Sequence, residues 1–148
     1  MALPHIAKND VFTYKNQFNH EKILNTPLDS FHIHFIPVGT VTAGQIIAID
    51  YAWAWLTKGN EFPDVLPNTG TAYITLNTGD QYDYLIDRIC QNMPPPDYEA
   101  YSSEFFIECQ RRNDSQDTYP GEFALLDGDN HFLSDKLGSK YEHTDEED

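Results

Sequence analysis

Basic residues are scarce in this chain. Nine Lys and Arg stand against 24 Asp and Glu, which gives a formal net charge of −15. That field repels phosphates and so argues against direct nucleic-acid binding; anionic membrane surfaces are disfavoured in the same way. Cysteine is nearly absent: Cys90 and Cys109 are too few for a secreted disulfide framework. No apolar run approaches the roughly 18 residues that a membrane-spanning helix needs. The start, Met1-Ala2-Leu3-Pro4-His5, has neither a basic stretch nor an apolar one, so no signal peptide is expected. A cytoplasmic protein with reduced thiols is the expectation. Catalytic signatures are missing as well: there is no P-loop, no Gly-x-Gly-x-x-Gly, no Gly-x-Ser-x-Gly and no His-Glu-x-x-His. No catalytic residue, cofactor or metal is therefore assigned.

What is present is globular. Forty per cent of the 148 residues are apolar and 14% are aromatic, enough for one core without staples. The reading is one domain over residues 1–141, followed by an acidic, solvated tail over 142–148. The charge is not spread evenly. Residues 1–60 hold four acids and four Lys, whereas residues 61–148 hold twenty acids against five Lys and Arg.

Residues 1–30 are polar and mixed, with one or two helical turns suggested over Asn19–Asn25. In Phe31–Ile36, apolar Phe31, Ile33 and Phe35 alternate with His32 and His34, which predicts a strand. Over Gln45–Leu56 the large residues Ile47, Ile49, Tyr51, Trp53 and Trp55 alternate with small or polar Ala48, Asp50, Ala52 and Ala54. That period predicts a second strand. The helix alternative rests on Thr42-Ala43-Gly44-Gln45 as a capping box. The two strands are expected to pair as a long hairpin near residues 31–56. Thr71–Leu76 and Glu104–Arg111 also alternate as strands. Phe123–Leu126 and His131–Leu133 flank Asp127-Gly128-Asp129-Asn130, which reads as a hairpin turn.

One stretch reads as a helix. Tyr82, Leu85, Ile86, Ile89 and Met93 fall at helical spacing, Thr78-Gly79-Asp80-Gln81 resembles a capping box, and three prolines follow. The expected fold is α+β: an antiparallel sheet of about five or six strands, with one main helix over 79–93 packed on a face.

On that helix Asp80, Asp83, Tyr84 and Asp87 would cluster opposite the apolar stripe. Carboxylates with a tyrosine between them suit Lys and Arg side chains of a partner, although a solvated helix face is the plainer reading. Asp97, Glu99 and Tyr101 extend the same mixture past the prolines. The sequence thus points to a non-catalytic acidic interaction protein. Its partner would be a basic protein (a toxin, nuclease or DNA-binding protein), bound and neutralised as an immunity protein or nucleic-acid mimic would do it. Two alternatives stand beside this. One is a small enzyme or ligand-binding domain whose site is built from scattered groups such as His32, His34, Asp50 and Tyr51. The other is a structural subunit of a phage or secretion assembly, favoured if Trp53 and Trp55 are exposed. His32 and His34 could offer two imidazoles to zinc, but no spacing motif supplies further ligands.

Overall fold

A computed structural model describes residues 2–18, 28–56, 59, 61–93 and 103–131. The described residues form eight strands: β1 (His5–Ile6), β2 (Val11–Phe18), β3 (Leu28–Val38), β4 (Ile46–Leu56), β5 (Asn68–Thr75), β6 (Leu85–Met93), β7 (Ser103–Arg111) and β8 (Glu122–His131). They make two four-stranded antiparallel sheets, in the orders β1-β8-β3-β6 and β2-β7-β4-β5. The orders share one logic. β4 pairs with β5, β3 with β6, β2 with β7 and β1 with β8, as in a long two-ply ribbon folded at the β4–β5 turn. Wrapping that ribbon brings β8 against β3 and β7 against β4. The result is a jelly roll, two Greek keys on eight strands.

Alternation places the core. Phe31, Ile33 and Phe35 of β3 point inward, as do Ile47, Ile49 and Trp53 of β4 and Phe105, Ile107 and Cys109 of β7. Aromatic rings bridge the two sheets: Phe31 lies 5.7 Å from Phe105, Tyr14 5.3 Å from Phe31 and Phe12 6.3 Å from Phe123, centroid to centroid. Trp55 packs edge-on to Phe105, so the tryptophan face of β4 belongs to the core. Burial of aromatic and branched side chains on this scale is the main force holding the sheets together.

One end of the sandwich is tied by a buried ion pair. Arg111 and Asp117 are both fully buried. Arg111 donates to both Asp117 oxygens at 2.8 and 2.9 Å, and to the carbonyls of Tyr119, Gly121 and Ile6. Asp117 also accepts the Ala48 amide at 3.1 Å. The connection after β7 is thereby fastened to β4 of one sheet and β1 of the other.

The expected α+β class is overturned: no helix occurs among the described residues, and residues 79–93 are a turn followed by β6. Two local features explain the misleading period. The β3–β6 register shifts between Phe31 and His32, and Asn92 has a positive φ of 55°. Leu85, Ile89, Cys90 and Met93 all meet the core across that bulge, so a strand out of step with itself mimics helical spacing. The supposed capping box closes a turn instead, with Asp80 accepting the Asn77 amide at 2.7 Å and Gly79 at φ 96°.

The expected hairpin over 31–56 is also corrected. β3 and β4 lie in different sheets, and the chain crosses between them after Val38. Asp127–Asn130 is no turn; it runs inside β8, with a register shift opposite His34 and Phe35. β2 falls in a stretch whose mixed polarity carried no strand signal. The suggested helical turns over 19–25 and the acidic tail over 142–148 lie outside the described residues. Among the described residues no helix is long and apolar enough to cross a membrane.

Candidate functional site

The outward face of the β2-β7-β4-β5 sheet is a trough. Inward positions of β4 carry the bulk, so its outward positions are Ala48, Asp50, Ala52 and Ala54. Register sets the neighbours: Asp50 lies between Gln110 of β7 and Thr71 of β5, and Ala52 lies between Glu108 and Thr69. The alanines keep the floor low, and the longer side chains on β7 form a wall. The hollow has a volume of about 370 Å³. Gly70 has a specific task, because a Cβ there would overlap the phenol of Tyr51.

Asp50 and Glu108 are the carboxylates of this hollow. Asp50 accepts the Thr71 hydroxyl at 2.7 Å, which fixes its orientation. Arg112 closes one end, 3.5 Å from Asp50. Its firmer hold is on Asp114, to which it donates from Nε at 3.0 Å and from Nη2 at 2.6 Å. Those hydrogen bonds hold the Asp114 carboxyl below its ordinary range and raise the Arg112 guanidinium. At the other end Phe62 meets Phe106 edge-on at 6.0 Å. The trough therefore joins two carboxylates, an amide, hydroxyls and an aromatic end, which suits an extended cationic side chain.

The outward face of the other sheet carries a different constellation. His34 of β3 reaches Tyr84 Oη with Nδ1 at 2.5 Å and Asp129 Oδ2 of β8 with Nε2 at 3.3 Å. With Asp129 ionised, the consistent tautomer has Nε2–H donating to the carboxylate and the Tyr84 hydroxyl donating to Nδ1. His32 stands 3.5 Å from the other Asp129 oxygen and contacts Ser30 Oγ. The period-two spacing of His32 and His34 puts both rings on one side of β3, where Asp129 sits between them.

The expected interface residues are only partly gathered. Asp80, Asp83 and Tyr84 share the β5–β6 connection. Asp87 lies on β6 in register with inward-facing Ile33, and is half-buried. Burial raises its carboxyl above the ordinary value, against the opposing pull of the Arg88 amide and of His32. Tyr84, by contrast, turns outward to His34. Asp97, Glu99 and Tyr101 lie outside the described residues. His32 and His34 are not joined to Asp50 and Tyr51, since they occupy different sheets. Among the described residues no group of three or more His, Cys, Asp or Glu is placed to hold a metal ion.

Glu108, Gln110, Thr69 and Thr71 were not singled out from the sequence. A signal for them existed. The small even-numbered positions of β4 implied a low outward surface, and the alternation of Glu104–Arg111 put Glu108 and Gln110 on its outward side. Which strands flank β4 was the missing piece.

Comparison with protein-family models, with curated proteins and with solved structures finds no match.

Proposed function

We propose that this chain is a non-catalytic acidic recognition module that binds and neutralises a basic protein. The observation that carries the reading is the uneven supply of counter-charges. Fifteen carboxylates and five Lys and Arg stand among the described residues, and one of those cations, Arg111, is committed to Asp117 inside the fold. The open face of the β2-β7-β4-β5 sheet then offers Asp50 and Glu108 over a low floor, where a Lys or Arg head can be held by charge-assisted hydrogen bonds. The β5–β6 connection, with Asp80, Asp83 and Tyr84, supplies a second acidic contact.

Opposed net charges hasten encounter, and an array of carboxylates can take the places that phosphates would occupy on a nuclease, toxin or DNA-binding protein. The test is titration of an arginine-rich peptide into the isotope-labelled protein, followed by capture from native lysate at two salt concentrations. Asp50→Lys with Glu108→Lys is expected to weaken peptide binding about tenfold or more, at roughly 1.5–3 kcal/mol per charged hydrogen bond. Peptide shifts that avoid both the trough and the β5–β6 connection, or binding unchanged by the double reversal, refute the placement. Failure to retain any basic protein at either salt refutes the class.

A second reading, a small ligand-binding domain or enzyme, is favoured by one observation: His34 is held between Tyr84 and Asp129, as an oriented base would be. A ligand that perturbs His34 and spares Asp50 would support it.

A further inference from the structure

A second concavity lies between the sheets rather than on them. β1 spans only His5–Ile6, and it covers the β8 edge opposite Phe123 and Ala124 alone. Past Leu125, whose amide still reaches Pro4 O at 2.9 Å, β8 pairs on one side with β3, and among the described residues no strand pairs with its other edge. β2, the facing edge of the other sheet, pairs only with β7 among the described strands. Where these two edges approach, a cleft of about 310 Å³ enters the sandwich. Its walls are Phe12 and Tyr14 from β2, Phe31 and Ile33 from β3, and Leu125 and Gly128 from β8. The N-terminal Ala2–Pro4 lies across one side.

Two features give the cleft a chemical preference. Its lining is mostly hydrocarbon and aromatic, and the position closest to the rings is a glycine. A Cβ at Gly128 would come within 2.8 Å of Phe31 Cζ and 3.2 Å of Tyr14 Cδ2, so the glycine lets those rings pack directly against β8. Among the described residues the one charged lining group is Asp127, whose Oδ1 accepts the Gly128 amide at 2.7 Å and is thereby held at the mouth. The Tyr14 phenol is raised first by burial and then by the fields of Asp127 and Asp129, which marks the mouth as electronegative. Among the described residues neither Lys nor Arg lines the cleft.

We infer that this inter-sheet cleft binds a small apolar molecule carrying a protonated amine. Its hydrocarbon part lies against Tyr14, Leu125 and Leu126, and its ammonium group meets Asp127. The volume sets the size. A cavity of ~150 Å³ takes one benzene ring, so this cleft takes roughly a dozen heavy atoms, near the lower bound for small-molecule sites. Carboxylate-bearing amphiphiles of the same size are rejected by Asp127. The site is independent of the acidic trough, which lies on the outer face of one sheet.

Matched probes test this on the full-length protein. 4-Phenylbutylamine, 4-phenylbutyrate and butylamine are titrated separately while backbone amide shifts are followed. The expected result is saturable binding of 4-phenylbutylamine with shifts at Tyr14, Leu125 and Gly128, and at least about tenfold weaker binding of the carboxylate. Asp127→Asn should reduce the preference for the amine about tenfold while leaving the fold's spectrum intact. Equal binding of butylamine means that charge alone attracts the probe, and overturns the inference. So do shifts spread over the outer sheet faces, equal binding of amine and carboxylate, or no saturation up to about 1 mM.

Discussion

Replacing Asp117 by Asn removes one charge from a pair with no access to solvent. In the native fold Asp117 Oδ2 accepts Arg111 Nε at 2.8 Å and the Ala48 amide at 3.1 Å, while Oδ1 accepts Arg111 Nη2 at 2.9 Å. Lys8 Nζ adds a weaker attraction at 3.7 Å. Asparagine must present an NH₂ group to one of these donors. Arg111 then keeps the carbonyls of Tyr119, Gly121 and Ile6 and the single amide oxygen, with its charge uncompensated in the interior. Breaking a buried pair in this way costs about 3–5 kcal/mol, a large part of the ~5–15 kcal/mol that holds a domain folded. For a chain of this size the melting temperature should fall by roughly 6–20 °C. Urea denaturation followed through the fluorescence of Trp53 and Trp55 measures the free energy directly. The double variant Arg111→Met with Asp117→Leu removes both charges and should recover part of the loss, by about 1–3 kcal/mol of coupling. Recovery stays incomplete because three carbonyls and the Ala48 amide lose their partner. A loss below about 1 kcal/mol for Asp117→Asn, or a double variant equal to the sum of the singles, would refute the role given to this pair.

Three other expectations concern the core and the sheet edges. Burial pushes the Cys90 thiol up to about 12 and raises Cys109 too, so neither should react with a disulfide reagent at mildly alkaline pH until urea unfolds the protein; rapid native labelling would contradict their burial. Asp87 holds its proton more tightly in the fold than in the unfolded chain, because burial raises its carboxyl. Its contribution therefore favours folding below the unfolded value and is lost as pH rises through the folded one. Asp87→Asn should be more stable than the parent at neutral pH, with the difference shrinking in acid; a constant difference across a pH series of melts would count against this. Gly70→Val should destabilise by about 1–3 kcal/mol, since its side chain must displace the Tyr51 phenol, and Tyr51→Ala in the same chain should recover much of that loss; calorimetry on the three variants decides it.

The fold was legible wherever a strand keeps step with itself. β4 alternates without interruption from Ile46 to Leu56, with Trp53 and Ile49 inward and Asp50 outward, and β3 and β7 do likewise. The reading failed where a bulge breaks the phase. β6 meets the core through Leu85, Ile89, Cys90 and Met93, a spacing that a helix would share. β8 hides a strand behind Asp127-Gly128-Asp129-Asn130, a composition that ordinarily turns. The candidate site was less legible than the fold, because register across strands far apart in sequence makes it. Asp50 and Gln110 are separated by a long stretch of chain and meet only because β4 pairs with β7.

Local chemistry, then, determined much about this chain without reference to any fold: the acidic imbalance, the inward faces of β3, β4 and β7, and the small outward residues along β4. Those properties depend on side-chain type and on the period of the backbone, which a strand carries alone. Tertiary structure decided the rest. Which sheet received each strand, whether the tryptophan face was covered, and which carboxylates became neighbours all follow from wrapping a ribbon on itself. That step is governed by burial and register between distant segments, and no local pattern encodes it.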